Sequence, residues 1–424
     1  MKREELVKNL KKEKNSIFVL LKWMLLGCGS GLLIGAIGGL FGRSISLVSA
    51  FRDENPWMLY LMPVAGILIV LAYKFDKYKT STNLVLDGVE KGEYVPFRMA
   101  PLIILSTILT HTVGGSAGRE GAALQLGGSI GGTIGKYLKL NEYDRKIMIM
   151  VGMGAAFSAL FGTPLTATVF AMEVVNVGIM HYAALVPCAF AAVIARDVSA
   201  WIGCTGESFE IPTHIAFDVG AATKIIILGF CCALISMLFC WILHTAEHIF
   251  HGKFKNPFVR VLVGSAIIIG LTLLVGSRAY LGTGMHVIEE AVEGHAVPYA
   301  FLLKMIFTAV TLACGFKGGE IVPSLFVGAT FGCVYGQIVG LDPSLCAACA
   351  MVATFCGMTN CPISSLFLSF EMFGFENMPF FLFAIGIGYL ESGYLGLYNS
   401  QSIMFSKEKL EYINVKTNYA DAHE

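Results

Sequence analysis

The chain has 424 residues, 55% of them hydrophobic and 14% charged, with a mean hydropathy of +0.69. Soluble globular chains carry about 25% charged residues, so this composition excludes a soluble enzyme, a nucleic-acid-binding protein and a secreted disulfide scaffold. Thirty Lys and Arg balance thirty Asp and Glu, which points to neither an acidic nor a basic partner.

Residues 1–14 carry six Lys or Arg against three Glu, and the apolar run that follows passes residue 40. A cleavable signal has an apolar region of about 7–15 residues. The run therefore predicts a retained first helix with a cytoplasmic N-terminus, by the positive-inside rule. Stretches 16–42, 57–73 and 221–246 are nearly free of charge and long enough to cross a bilayer, which takes about 20 apolar residues. The charged loops 74–98 and 251–260 belong on the side of the N-terminus, and the polar tail 405–424 is short. Gly and Pro interrupt the apolar runs at 112–121, 152–164, 315–323 and 357–362. Broken helices at membrane depth are tolerated only where backbone is buried in protein or lines a cavity, which favours a transporter or channel over an anchor. The twelve cysteines lie in apolar segments, and the one CxxC, Cys346 to Cys349, has no second Cys or His pair at metal-ligand spacing. They read as small core residues.

The chain repeats itself. GGSAGREG (114–121) is followed by Gly127, Gly131 and Gly135, and GFKGGEIVP (315–323) by Gly328, Gly332 and Gly336. Glu120 and Glu320 stand 200 residues apart. Pro164 precedes Glu173 by the same nine residues that separate Pro362 from Glu371. Two landmarks in the same order predict two homologous transmembrane halves, 15–205 and 215–404, flanked by cytoplasmic segments 1–14 and 405–424. Paired halves with broken helices place a substrate at their interface. An odd number of spans per half would require the repeat to be inverted.

Glu120 stands in an uncharged stretch just before a predicted helix. A carboxylate at membrane depth costs roughly 2.5–3.5 kcal/mol. It caps the helix beside Arg119, or it occupies an anion site of helix-terminal amides from which a permeant ion displaces it. Glu320 is its second-half counterpart, either an N-terminal charge or a proton carrier. Ser81, with Thr80, Thr82 and Asn83, forms a hydroxyl-rich cluster suited to a helix cap, to anion binding, or to both. Tyr398 offers a phenol donor near the last apolar segment, where tyrosines also serve as interfacial anchors. Gly114–Gly118 matches G-x-S-x-G around Ser116, with His111 nearby, so an intramembrane serine hydrolase is a remote alternative. The second-half loop drops the serine. No phosphate-binding loop and no H-E-x-x-H occur.

The run GREGAALQLGGSIG resembles the G-[KR]-E-G-P signature of the CLC family of chloride channels and anion/proton antiporters. FGTPLTATVFAMEV and GGEIVPSLFVGATFG resemble two further segments of that family in matching order. The resemblance implies an all-helical membrane fold of about eighteen helices, several broken or re-entrant, in two inverted halves. It also implies a homodimer with a separate pathway per subunit. No cofactor is implied, only bound halide, with protons and the bilayer as the other partners. Glu120 matches the gating glutamate, Ser81 and Tyr398 the central anion site, and Ile321 and Val322 the backbone amides of the outer site. Asn83 and Gly121 complete the anion-binding set. The usual G-S-G-I-P filter is here Thr80-Ser81-Thr82-Asn83-Leu84. Val174 follows Glu173 where an inner proton-relay glutamate is usual. Val174 and Glu320 resemble the fluoride/proton antiporter branch, which usually has methionine in place of Ser81. The resemblance implies a halide/proton antiporter, fluoride ahead of chloride. A passive chloride channel is the alternative.

Overall fold

The computed structural model describes residues 3–74, 76, 80–211 and 215–418, with side chains from residue 16 onward. The basic residues of the N-terminal segment and the last six residues of the tail thus lie outside the described side chains.

The first half comprises α1 (Arg3–Glu54), a 3-10 turn (Pro56–Leu61) running into α2 (Met62–Tyr73), α3 (Thr82–Glu90) and α4 (Met99–Thr112). It continues with α5 (Glu120–Tyr137), α6 (Glu142–Phe161), α7 (Pro164–Glu173), the short strand β1 (Asn176–Val177), a 3-10 turn (Tyr182–Ala184) and α8 (Leu185–Ile202). The second half answers element for element with α9 (Val219–Lys253), α10 (Pro257–Val275), α11 (Met285–Val292) and α12 (Ala300–Ala313). There follow α13 (Ile321–Val339), α14 (Pro343–Thr359), α15 (Pro362–Phe373) and α16 (Met378–Glu391), then β2 (Ser402–Phe405) and β3 (Tyr412–Lys416). Among the described residues there are sixteen α-helices and two 3-10 turns, close to the expected eighteen helical pieces. Six helical segments among the described residues are long and apolar enough to cross a membrane.

Local sequence sets the breaks. Gly162 (φ +75°) ends α6 in the left-handed conformation, extended Thr163 follows, and Pro164 opens α7. Asn360 (φ +57°), Cys361 and Pro362 repeat that arrangement between α14 and α15. A left-handed residue stops a helix, and a proline biases its predecessor to extended backbone while starting the next helix. The interruptions expected across 152–164 and 357–362 therefore narrow to residues 162–163 and 360–361. Gly152 and Gly154 lie inside the unbroken α6 and serve packing instead. A β-carbon on Gly127 would stand 2.0 Å from the Gly152 carbonyl oxygen, and one on Gly152 equally close to that of Gly127. The repeat preserves this contact: Gly328 and Gly332 of α13 lie against the carbonyls of Ala350 and Cys346 in α14. Backbones of α5 and α6, and of α13 and α14, approach as closely as small residues permit.

The halves are inverted. Glu173 at the end of α7 accepts hydrogen bonds from the first amides of α15, and Glu371 of α15 accepts them from the first amides of α7. Each helix end thus meets the other's beginning, so the pair is antiparallel. The pseudo-two-fold axis relating them is perpendicular to the helices and, for helices along the bilayer normal, lies in the membrane plane. Gly118 and Gly319 exchange reciprocal N–H···O bonds of 2.7 Å, placing the two glycine-rich loops on the same axis. Around it the core is dense: α14 is buried from Ser344 to Thr359. Leu25, Leu40, Leu68, Trp241 and Leu273 on the outer helices present large exposed apolar side chains, the pattern of a lipid-facing surface.

The tail is more ordered than its polarity suggested. β2 pairs in parallel with β1 and antiparallel with β3, so residues 402–416 form a hairpin docked against the first half.

Candidate anion and proton site

Three helix N-termini converge near the axis: those of α5, α13 and α3. The first amides of a helix have no partner in the helix itself, and together they present partial positive charge. Where chain breaks bring such ends together inside a membrane protein, they form a place for anions without a fixed cation.

Glu120 is the first residue of α5 and only 1% exposed. Its Oε2 accepts the Arg119 amide at 2.9 Å, and its Oε1 lies 3.4 Å from Arg119 Nε. The capping and the anion-site readings thus share one geometry, with the carboxylate seated among loop amides. A β-carbon on Gly118 would stand 2.6 Å from Glu120 Oε2 and 3.2 Å from the Val322 nitrogen. Glu120 therefore sits beside the second-half helix start that Ile321 and Val322 provide, both of them buried. Arg119 is held in turn by the Leu160 carbonyl at 3.1 Å and the Glu207 carboxylate at 3.2 Å.

Glu320 is the N-terminal cap residue of α13. Its Oε2 lies 3.3 Å from where a β-carbon on Gly121 would be, and that same β-carbon would stand 2.8 Å from Gly319 Cα. Gly121 is thus a point of close backbone approach that leaves the second carboxylate against the start of α5. The two glutamates face each other's helices across the Gly118–Gly319 bridge.

A cavity of about 190 Å³ opens next to this pair, lined by Ser81, Asn83, Glu320 and Tyr398 among others. Ser81 occupies the N-cap of α3 in extended conformation, yet among the described residues its hydroxyl makes no cap hydrogen bond. Asn83 points its Oδ1 to the Ser400 amide at 3.1 Å, which ties α3 to the segment after α16. Tyr398 is 3% exposed, and among the described residues its hydroxyl has no hydrogen-bond partner. An unpartnered buried hydroxyl is costly, and on the wall of a polar cavity it is available to donate to a guest. The structure thus gathers Glu120, Gly121, Ile321 and Val322 at one level, and Ser81, Asn83, Tyr398 and Glu320 around the adjoining cavity.

Other polar residues line the same space: Gln125, His244, Glu247 and Lys317. Gln125 donates to Thr82 Oγ1 at 3.1 Å. His244 and Glu247 fall at the end of a long apolar run, where ionisable residues were the available signal.

Ser116 is fully buried, and its hydroxyl pairs with Thr308 at 3.0 Å; among the described residues it makes no hydrogen bond to the His111 ring. The loop joins two helices instead of a strand and a helix. Neither feature suits a nucleophile elbow. Cys346 and Cys349 are buried in α14, and among the described residues no cluster of three potential metal ligands occurs.

Residues 73–393 match the family model described as voltage gated chloride channel. The chain is 31% identical over 395 residues to the "Chloride/fluoride channel protein" of Pseudomonas syringae pv. tomato, covering 91% of this chain and 87% of that one. It is 24% identical over 375 residues to the "H(+)/Cl(-) exchange transporter ClcA" of Vibrio vulnificus, covering 81% and 80%. Among solved structures, a CLC-type fluoride/proton antiporter superposes with a TM-score of 0.87 at 32% identity, over 90% of this chain and 98% of that one.

Proposed function

The chain belongs to the voltage gated chloride channel family, and from that premise we propose that it is a proton-coupled antiporter exchanging fluoride for protons. The observation that carries this reading is the pairing of two carboxylates, Glu120 and Glu320, on opposite sides of the Gly118–Gly319 bridge, each at a helix start of its own half.

The physics is competition. As a carboxylate, Glu120 occupies the amides at its helix start and blocks the anion path. A halide arriving from the cavity competes for those amides, and a proton on Glu120 removes its claim to them. Each ion changes the affinity for the other, which is a linkage between two binding events. Ser81 and Tyr398 donate to the halide in the cavity, while Ile321, Val322 and Gly121 supply amides beyond it. Glu320 hands protons to and from Glu120. Neither step requires a cofactor.

Three features support fluoride: Val174 beside Glu173, Glu320 on the cavity wall, and the likeness to a fluoride/proton antiporter over nearly the whole chain. Chloride/proton exchange is the second reading, favoured by the Ser81 hydroxyl. In this reading both termini and the end of α9 face the cytoplasm, the side that the basic segments 1–14 and 251–260 favour, with halves 15–205 and 215–404. Assembly is a homodimer in the cell membrane, one pathway per subunit.

The test loads liposomes carrying purified protein with fluoride or chloride and follows halide efflux and proton uptake together. Proton uptake that accompanies fluoride efflux and vanishes in Glu120→Gln is the expected result. Faster coupled efflux of chloride assigns chloride exchange, and Ser81→Met then shifts preference toward fluoride. Halide efflux without proton movement makes the protein a channel.

A further inference from the structure

α9 changes character near its end. After an apolar stretch it reads His244-Thr245-Ala246-Glu247-His248-Ile249-Phe250-His251. Positions i, i+3, i+4 and i+7 share one face of a helix, so three imidazoles and a carboxylate form a single stripe. Ionisable residues on a membrane helix are expensive and mark ion or proton paths by default.

The stripe leads from solvent into the cavity described above. His251, His248 and Glu247 are exposed, and His244 is half-buried. Glu247 and His244 line the same space as Glu320. The space of about 190 Å³ is polar and roomy enough for several waters, which can join groups that do not touch. His244 Nε2 is anchored 2.9 Å from the Gly396 carbonyl, two residues before Tyr398. Among the described residues the Glu247 carboxylate makes no ion pair or side-chain hydrogen bond. Lys317, which also lines the cavity, lies within electrostatic range of Glu247, Glu320, Arg260 of α10 and Asp76. These groups set the field through which a proton and an anion enter together.

We infer that the His244–Glu247–His248–His251 face of α9 is the proton relay between the side on which α9 ends and Glu320. This rests on the antiport reading. The exposed imidazoles form the solvent end of the relay. Glu247 accepts a proton as a carboxylate and passes it through cavity water to the Glu320 carboxylate, regaining its own charge. The reverse sequence runs when protons leave. The halide uses the same cavity but binds hydroxyls and amides, so the two ions share an entrance and part at Glu320.

The experiment measures the proton-to-halide ratio of the full-length protein in liposomes, with the pH of the α9-end compartment varied. Glu247→Gln is expected to lower proton uptake roughly tenfold or more while halide efflux continues. Glu247→Asp restores the ratio, and His248→Asn with His251→Asn shifts the pH profile without abolishing coupling. Because Glu247 is exposed, these variants retain the fold, which a monodisperse elution profile checks. Wild-type coupling in Glu247→Gln, or changed halide affinity at an unchanged ratio, overturns the relay and leaves antiport standing. A wild-type protein that moves halide without protons overturns antiport itself, and the relay with it.

Discussion

Glu173 and Glu371 make the same contact in opposite directions. Glu173 accepts the Ile363 and Ser364 amides at 3.1 and 2.8 Å, and Glu371 accepts those of Leu165 and Thr166 at 2.9 and 2.8 Å. Each also takes a hydroxyl, from Ser364 and Thr166 respectively. A carboxylate satisfying the first amides of a helix stabilises it by hydrogen bonding and by the helix dipole. Burial separates the two: Glu173 is 4% exposed, whereas Glu371 is only half-buried. Glu173→Ala is therefore expected to lower stability by about 2–3 kcal/mol and Glu371→Ala by about 1 kcal/mol. Thermal unfolding in detergent measures both. Equal losses would mean that burial does not set the strength of these caps, and no loss in either would mean that they do not organise the interface between the halves.

The close approach of α5 to α6 predicts a sharper effect. A methyl at Gly127 meets backbone at 2.0 Å, and one at Gly131 meets the Met148 carbonyl at 2.1 Å. Backbone atoms cannot rotate away, so Gly127→Ala must push two buried helices apart. Gly29→Ala, where nothing lies within 4 Å, is the control and adds only helix propensity, worth roughly 0.8–1.0 kcal/mol. Folded yield by size-exclusion chromatography should collapse for Gly127→Ala and hold for Gly29→Ala.

The repeat was legible because it rests on residues with little freedom of substitution. Glycine, proline and buried glutamate mark breaks and caps that the second half must reproduce. Which glycines break a helix was not legible, since Gly152 and Gly162 look alike in sequence. Only Gly162 carries a left-handed backbone, while Gly152 faces another helix. Glu120 and Glu320 could be singled out because a lone carboxylate among glycines is costly in a membrane. Glu247 and His244 carried only the weaker signal of ionisable residues at the end of an apolar run, because their role depends on which cavity the end of α9 borders. The hairpin at 402–416 escaped notice because its strands are short and its partner, Asn176–Val177, lies more than 200 residues away.

Arg119 divides its guanidinium between Glu120 and Glu207, which gives a pH prediction. Glu207 lies in the linker after α8, and burial raises its carboxyl above the usual carboxylate range, with Arg119 opposing and Glu289 adding to the rise. A raised carboxyl binds its proton at milder acidity, so the Arg119–Glu207 pair is present at neutral pH and is lost early as pH falls. Once Glu207 is neutral, Arg119 is held by Glu120 alone among the acids, and Glu120 leaves its helix start less readily. Halide efflux should fall roughly two- to tenfold as the linker side is acidified, since about 1.4 kcal/mol is a factor of ten. Glu207→Gln should be slow at neutral pH and lose that dependence. An unchanged pH profile in Glu207→Gln would remove the pair from control of the gate.

The hairpin fixes the cavity's two hydroxyl donors from behind. Asn83, Asp87 and Glu90 recur at i, i+4 and i+7 along α3, and all three hold the segment after α16. Asn83 takes the Ser400 amide at 3.1 Å, Asp87 the Ser400 hydroxyl at 2.8 Å, and Glu90 the Ser402 hydroxyl at 2.7 Å. Lys416 of β3 closes the set by pairing with Glu90 while donating to the Ser400 carbonyl and Ser402 Oγ, both at 2.7 Å. Ser81 heads α3 and Tyr398 lies two residues before Ser400, so one network sets the distance between the two donors. Lys416→Met removes the cation that Glu90 holds without touching the cavity, while Lys91 stays paired with Asp87. A partly buried ion pair of this kind is worth about 1 kcal/mol, so halide affinity should weaken roughly fivefold. Glu90→Gln should have the same effect, and the double variant should be no worse than either single one, because the two residues act as a unit. Titration calorimetry with halide on the purified protein measures all three, and additive losses would show that Glu90 and Lys416 act on the site independently.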